Sequence, residues 1–138
     1  MGLDRPPVLK DMKGYQIQSD YPVTAHFECS NPLLNLIHET TLWTYRCLTL
    51  GGCIVDCPHR ERLGYGGDGQ SSMETGLANF DTGNLYRKWL TDWRDSQDPN
   101  TGDLPHTAPR APWLHTPRVR GVFSGGGALV GVVLPPGA

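Results

Sequence analysis

No run of apolar residues in this sequence approaches the ~18 that a membrane-crossing helix needs, and the polar start Met1-Gly2-Leu3-Asp4-Arg5-Pro6-Pro7 holds no apolar stretch of a secretion signal. The chain reads as soluble and without an export signal, and nothing in it assigns a compartment. An excess of positive charge is missing too. With 12 Lys and Arg against 14 Asp and Glu, the formal net charge of −2 draws neither nucleic acid nor an anionic membrane surface. Cysteine is sparse, since Cys29, Cys47, Cys53 and Cys57 are too few in 138 residues for a disulfide scaffold, and they read as thiols. A zinc site of Cys53, Cys57 and His59 would have the spacing Cys-x3-Cys-x-His, which is not a usual one, and no second ligand pair follows; no metal and no other cofactor is expected. Two further motifs are absent. There is no Gly-x4-Gly-Lys-Ser/Thr to cradle phosphate and no Gly-x-Ser-x-Gly nucleophile elbow, and a Cys57–His59 nucleophile pair would have nothing to orient its base.

What remains is a globular balance, 38% hydrophobic and 19% charged, with glycine (17) and proline (12) both high. In residues 1–28, Tyr15, Ile17 and then Val23, Ala25 and Phe27 alternate with polar residues, which suggests short strands or extended segments. Ser30-Asn31-Pro32 then starts a helix, with a side-chain oxygen to cap it and proline at its first position. Leu33, Leu36, Ile37, Thr40, Thr41, Trp43 or Thr44, Cys47 and Leu48 carry a three-to-four spacing as far as Leu50, where Gly51-Gly52 ends it. A second helix is expected from Gln70 to Phe80, with Met73, Leu77 and Phe80 on one stripe. Asp81-Thr82-Gly83-Asn84 caps a third, on which Leu85, Tyr86, Trp89, Leu90 and Trp93 fall on the apolar side and Arg87, Lys88, Arg94 and Asp95 point outward. The aromatic stripe reads as core. From Asp98 on, Pro105, Pro109, Pro112 and Pro117 leave no room for a helix, and the three arginines Arg110, Arg118 and Arg120 read as a solvated tail.

The chemistry is concentrated between Asp56 and Gln70. Asp56, Glu61 and Asp68 share this stretch with Arg60, Arg62, His59 and Tyr65, on a backbone that Pro58, Gly64, Gly66, Gly67 and Gly69 are expected to keep out of regular structure. If the loop folds back, its carboxylates converge, and crowded like charges push at least one pKa upward. A carboxylic acid that keeps its proton can protonate a leaving oxygen, the general-acid half of glycoside hydrolysis. A knot in which acids and arginines merely neutralise one another fits the residue types equally well.

The order of these residues resembles a known family. Asp56-Cys57-Pro58-His59-Arg60-Glu61-Arg62-Leu63-Gly64-Tyr65-Gly66-Gly67-Asp68 is similar to the signature Asp-Cys-Pro-x-Arg-Asp-Glu-Arg-Leu-Gly-Trp-x-Gly-Asp of the bacterial α-L-rhamnosidases, glycoside hydrolase family 78. Flanking segments match in kind: Phe27-x-Cys29-Ser30-Asn31-Pro32 before it, and Lys88-Trp89-Leu90-x-Asp92-Trp93 and Gly102-x-Leu104-Pro105 after it. This loop is one residue shorter than the signature between Asp56 and Glu61, and Tyr65 stands for tryptophan.

The resemblance implies that Glu61 is the general acid. It implies that Asp56 and Asp68 hold rhamnose hydroxyls, that Tyr65 is a wall for the sugar's apolar face, and that Arg60 or Arg62 sets the charge around the acid. The family is inverting, so a second carboxylate must lie roughly 6.5–9.5 Å away to activate water; in the family it is a glutamate far downstream. The implied fold is mainly α, a partial (α/α)6 toroid preceded by a short β remnant: residues 1–28 end a preceding β-domain, 29–109 start the catalytic domain, and 110–138 form an irregular tail. With about three of twelve helices present, apolar faces such as Leu85, Trp89 and Trp93 would lack part of their cover and favour self-association. The implied function is hydrolysis of terminal α-L-rhamnose from glycosides, incomplete in a chain that ends before the base; the alternative is a non-catalytic carbohydrate-binding remnant.

Overall fold

The computed structural model describes residue 8 and residues 10–111. Among them lie three helices and a two-stranded hairpin: α1 (Pro32–Leu48), β1 (Thr49–Leu50), β2 (Cys53–Ile54), α2 (Gly66–Asn79) and α3 (Gly83–Asp95). The start of α1 is as the sequence dictates. The Asn31 side chain accepts the Leu33 N–H at 3.0 Å, with Pro32 in the first turn. Its end is not: Thr49 and Leu50 leave the helix and pair antiparallel with Ile54 and Cys53. Gly51 and Gly52, with φ of 65° and 79°, form a two-residue hairpin turn whose geometry suits the twist of the strands, so they turn a hairpin rather than simply stop a helix. Lys88 on α3 holds that turn by donating to the Gly51 carbonyl at 3.2 Å while paired with Asp92 one turn on.

The core forms where α3, β2 and the end of α1 meet. Trp89, Phe80, Ile54 and Val55 are fully buried, and Tyr45 stacks on Phe80 with ring centroids 5.4 Å apart. Tyr45 also shares a hydrogen bond with Tyr86 at 3.1 Å, and Tyr21 with Thr49 at 2.7 Å, so the buried phenols reach polar partners. The segment before α1 crosses this core as extended chain. Ser19 N–H donates to Thr49, Thr24 N–H to Asn79, and Asp81 N–H to Pro22, with a single bridge between Val23 and Phe80. The expected strands of residues 10–28 are therefore present as extended backbone with no regular sheet, and Tyr15 and Ile17 are exposed.

Two placements differ from expectation. The stripe Leu85, Trp89 and Trp93 is covered, because residues 104–111 fold back over α3: Trp89 Nε1 donates to the Ala108 carbonyl at 2.6 Å, and Ala108 and Ala111 are buried. On the helices, apolar surface is left open on α1, where Leu33, Leu36, Ile37 and Trp43 are 61, 58, 53 and 56% exposed, and on α2, where Leu77 of the expected stripe is 52% exposed because the glycines Gly66, Gly69 and Gly76 form the buried face instead. Arg110 is exposed, whereas Arg118, Arg120 and the rest of the expected tail lie outside the described residues. No described helix is long and apolar enough to cross a membrane.

Candidate functional site

β2 delivers the chain from the core to Asp56, and the loop closes at once. The Asp56 N–H donates to the Leu63 carbonyl at 3.0 Å, while the Leu63 N–H donates back to Asp56 Oδ1 at 3.1 Å. This pair of hydrogen bonds across seven residues forces the intervening chain outward as a compact turn. Arg62 lies in the left-handed region, with φ of 56°, an unfavourable setting for a residue with a Cβ. Its Nε donates to the Pro58 carbonyl at 2.9 Å and holds the bend in place.

The second half of the stretch is not loop. Helix α2 begins at Gly66, so Gly66, Gly67 and Gly69 are helical, and the expected start at Gln70 is four residues late. Packing explains these glycines better than flexibility does. A Cβ at Gly69 would run into the Trp89 ring, and one at Gly64 would meet the Ala108 carbonyl. Glycine costs about 0.5–1 kcal/mol relative to alanine inside a helix, which is offset here by letting α2 lie directly on a buried tryptophan. Gly64 and Tyr65 are in turn pinned to residues 107–108, through the Ala108 N–H to Gly64 carbonyl bond at 3.1 Å and the Tyr65–Thr107 bridge.

At the outer turn, Asp56, Cys57 and Glu61 have side-chain donor atoms within 4.8 Å of one another. The Cys57 thiol lies 3.2 Å from Asp56 Oδ2 and 3.5 Å from Glu61 Oε2, and Cys57 Sγ accepts the Glu61 N–H at 3.3 Å. Among the described residues this trio has the spacing for a metal ion, but it mixes one soft thiolate with hard carboxylates and matches no single ion's preference well. Glu61 also pairs with Arg60 Nη2 at 3.1 Å; its side chain is 40% exposed and that of Arg60 is 70% exposed. An ion pair so open to water is weak, and Glu61 is not locked in a buried clasp.

Crowding was expected to push a carboxyl pKa upward, and for Asp56 the direction is the reverse. Burial does raise it, but hydrogen bonds from Glu61, the Leu63 N–H and Cys57 outweigh that and hold it below the ordinary aspartate value. Asp56 is thus held toward its ionised form. The Tyr65 phenol is pushed up, first by burial and then by the charges of Glu61, Asp56 and Asp68, with Arg60 acting the other way. Asp68 sits in the first turn of α2, favourable to the helix dipole, and does not join the Asp56–Cys57–Glu61 cluster.

The structure therefore gathers Asp56, Glu61 and Arg60 at one turn and sets Tyr65 within reach of their charges; Arg62 is engaged with the backbone, and Asp56 has both oxygens in use. Sequence reasoning weighed Cys57 only as a metal ligand or nucleophile. Its place beside Asp56 and four residues before Glu61 was the signal for its role as their partner. A cavity of about 290 Å³ lies elsewhere, lined by Thr40, Thr41, Thr44, Tyr45, Leu48 and residues of α2. The loop does not contribute to it.

This arrangement can be set beside known proteins. Residues 22–121 match the model of the bacterial α-L-rhamnosidase six-hairpin glycosidase domain. An α-L-rhamnosidase of Formosa agariphila is 34% identical over 101 residues, 73% of this chain and 10% of that protein. The crystal structure of Streptomyces avermitilis α-L-rhamnosidase complexed with L-rhamnose superposes with a TM-score of 0.64 at 33% identity, over 68% of this chain and 9% of that one. The structure of native α-L-rhamnosidase from Aspergillus terreus gives 0.63 at 39% identity, over 67% of this chain and 11% of that one. The chain thus spans about a tenth of the length of the relatives it matches, while the family match covers most of its own length. By that match, and by a mainly helical fold that follows its relatives over about two thirds of its length, the chain belongs to the bacterial α-L-rhamnosidase six-hairpin glycosidase family.

Proposed function

We propose that the turn from Asp56 to Asp68 is the general-acid side of an α-L-rhamnosidase site, with Glu61 donating the proton to the departing glycosidic oxygen. Asp56, Arg60, Arg62, Tyr65 and Asp68 would surround the rhamnose. The observation that carries this reading is the placement of the carboxyl pair. Asp56 is turned inward and held below the ordinary aspartate value by its hydrogen bonds, while Glu61 projects from the same turn with a side chain 40% exposed, where a leaving group can reach it. Asp56 and Glu61 are also too close to flank a water in an inverting reaction, which needs roughly 6.5–9.5 Å between its carboxyls. The base of such a reaction is therefore another carboxylate, and Asp56 is a holder of the acid rather than its counterpart. We take residues 29–109 as the start of the catalytic domain, 1–28 as linker and remnant of a preceding domain, and 110–138 as a tail. We read the open face of α1 as the surface through which copies of the chain associate.

Calorimetry with L-rhamnose, paired with release of nitrophenol from a nitrophenyl α-L-rhamnoside, tests the reading. Saturable rhamnose binding that Glu61→Gln leaves in place, together with any hydrolysis falling by at least a hundredfold in that variant, is the expected result. Binding without turnover leaves the carbohydrate-binding alternative. Hydrolysis untouched by Glu61→Gln would remove Glu61 from the acid's role.

A further inference from the structure

We propose that Cys57 is the positioning residue of Glu61: its sulfur ties the Asp56 carboxylate, the Glu61 carboxyl and the Glu61 backbone into one clasp, and so fixes where the acid presents its proton. The inference deepens the reading of Glu61 as general acid and rests on it.

The geometry identifies the thiol as the centre of the turn. Sγ accepts the Glu61 N–H at 3.3 Å, which fixes the backbone from which the acid projects. Its own hydrogen lies between two acceptors, Asp56 Oδ2 at 3.2 Å and Glu61 Oε2 at 3.5 Å. A thiol has one proton to donate and lone pairs to accept with, so a single side chain can serve the backbone and a carboxyl at the same time. The other candidates for this task are weaker. Arg60 reaches Glu61 from a side chain that is 70% exposed, and pairs of this kind contribute little in water. Arg62 spends its Nε on the Pro58 carbonyl. Asp56 is already fixed from behind by the Leu63 N–H, so what Cys57 adds is the link from that fixed point to Glu61.

Sulfur suits the position because its longer bond to Cβ and larger radius let one atom touch all three partners. A serine oxygen would sit nearer its own backbone and serve fewer of them, but could still hydrogen-bond; an alanine methyl could not. The other three thiols have different neighbours. Cys29 contacts Asn31 and Asn35, Cys47 lies by Gln16, and Cys53 is buried against the Leu50 carbonyl.

Two readouts on the full chain test the clasp without relying on turnover. The first is the titration of Asp56, followed by carbon NMR of aspartate side-chain carboxyls in wild type, Cys57→Ser and Cys57→Ala. The groups that face it are the Cys57 thiol and N–H, Glu61 and the Leu63 N–H. A hydrogen bond to the ionised form keeps the midpoint low, so its loss in Cys57→Ala raises the midpoint by about half to one pH unit, and Cys57→Ser recovers a measurable part of it. The second is hydrogen exchange at the Glu61 amide, which quickens by about tenfold in Cys57→Ala. Circular dichroism confirms that the helices persist, and because α2 and α3 do not depend on Cys57, Cys57→Ser provides a folded comparison in either case. An Asp56 midpoint and a Glu61 exchange rate unmoved in Cys57→Ala overturn the proposal. So does a serine variant indistinguishable from alanine, since that would make the sulfur a packing atom. L-Rhamnose calorimetry on the same wild-type sample keeps the two ideas separate: no binding defeats the proposed function, whereas an unmoved titration defeats the role of the thiol.

Discussion

Helices α1 and α3 carry comparable apolar stripes and meet opposite fates. On α3, Leu85, Tyr86, Trp89 and Trp93 are buried because the chain passes over them twice, as β2 before the loop and as residues 104–111 after it. On α1, the stripe of Leu33, Leu36, Ile37 and Trp43 faces away from the core, and the helix is held instead by another side, where Tyr45 packs on Phe80 and Leu42 lies against the same cluster. Periodicity reports that a face is apolar. It does not report which face finds a neighbour, because that depends on where the rest of the chain goes.

The contrast predicts a steep gradient of mutational cost. Trp89→Ala should be the most damaging change, at about 3–5 kcal/mol, since the ring touches α2, the loop end and residues 107–108 together. Urea unfolding followed by circular dichroism would measure it, and a loss under about 1 kcal/mol would mean that α3 is not the centre of the fold. Gly69→Ala should come next, at about 1–3 kcal/mol, because the added methyl strikes that same ring although alanine is the better helix former. A stabilised Gly69→Ala would show that α2 can draw away from Trp89 at no cost. At the bottom of the gradient, Ile37→Glu on the open face of α1 should move stability by no more than about 0.5 kcal/mol while abolishing the proposed association between copies in sedimentation velocity. An Ile37→Glu chain that unfolds would place that stripe in a core after all.

Much of this was legible in the residues. Asn31-Pro32 placed the first turn of α1, because a capping oxygen and a proline without an N–H both act within a few residues. The outward set of α3, Arg87, Lys88, Arg94 and Asp95, is exposed as the 3.6-residue period requires. The glycines misled. Gly66, Gly67 and Gly69 read as breakers, yet they lie in the first turns of α2, and the reason for glycine at position 69 is a tryptophan twenty residues later. At the site, the signature named Glu61 and its neighbours, but it could not show that Asp56 faces inward to Leu63 and Cys57, or that Arg62 is committed to the Pro58 carbonyl.

By itself the sequence determined what is local or carried by an ordered run of residues: the N-cap of α1, the period of the α3 stripe, the crowding of acid and base between Asp56 and Asp68, and through that order the family. Only the tertiary structure decided which stripe would be covered, which glycines were spaces for a ring, and that Asp56 would be held low by its hydrogen bonds. Those outcomes depend on groups far apart in the chain arriving within a few ångströms of one another, and no local pattern encodes that approach.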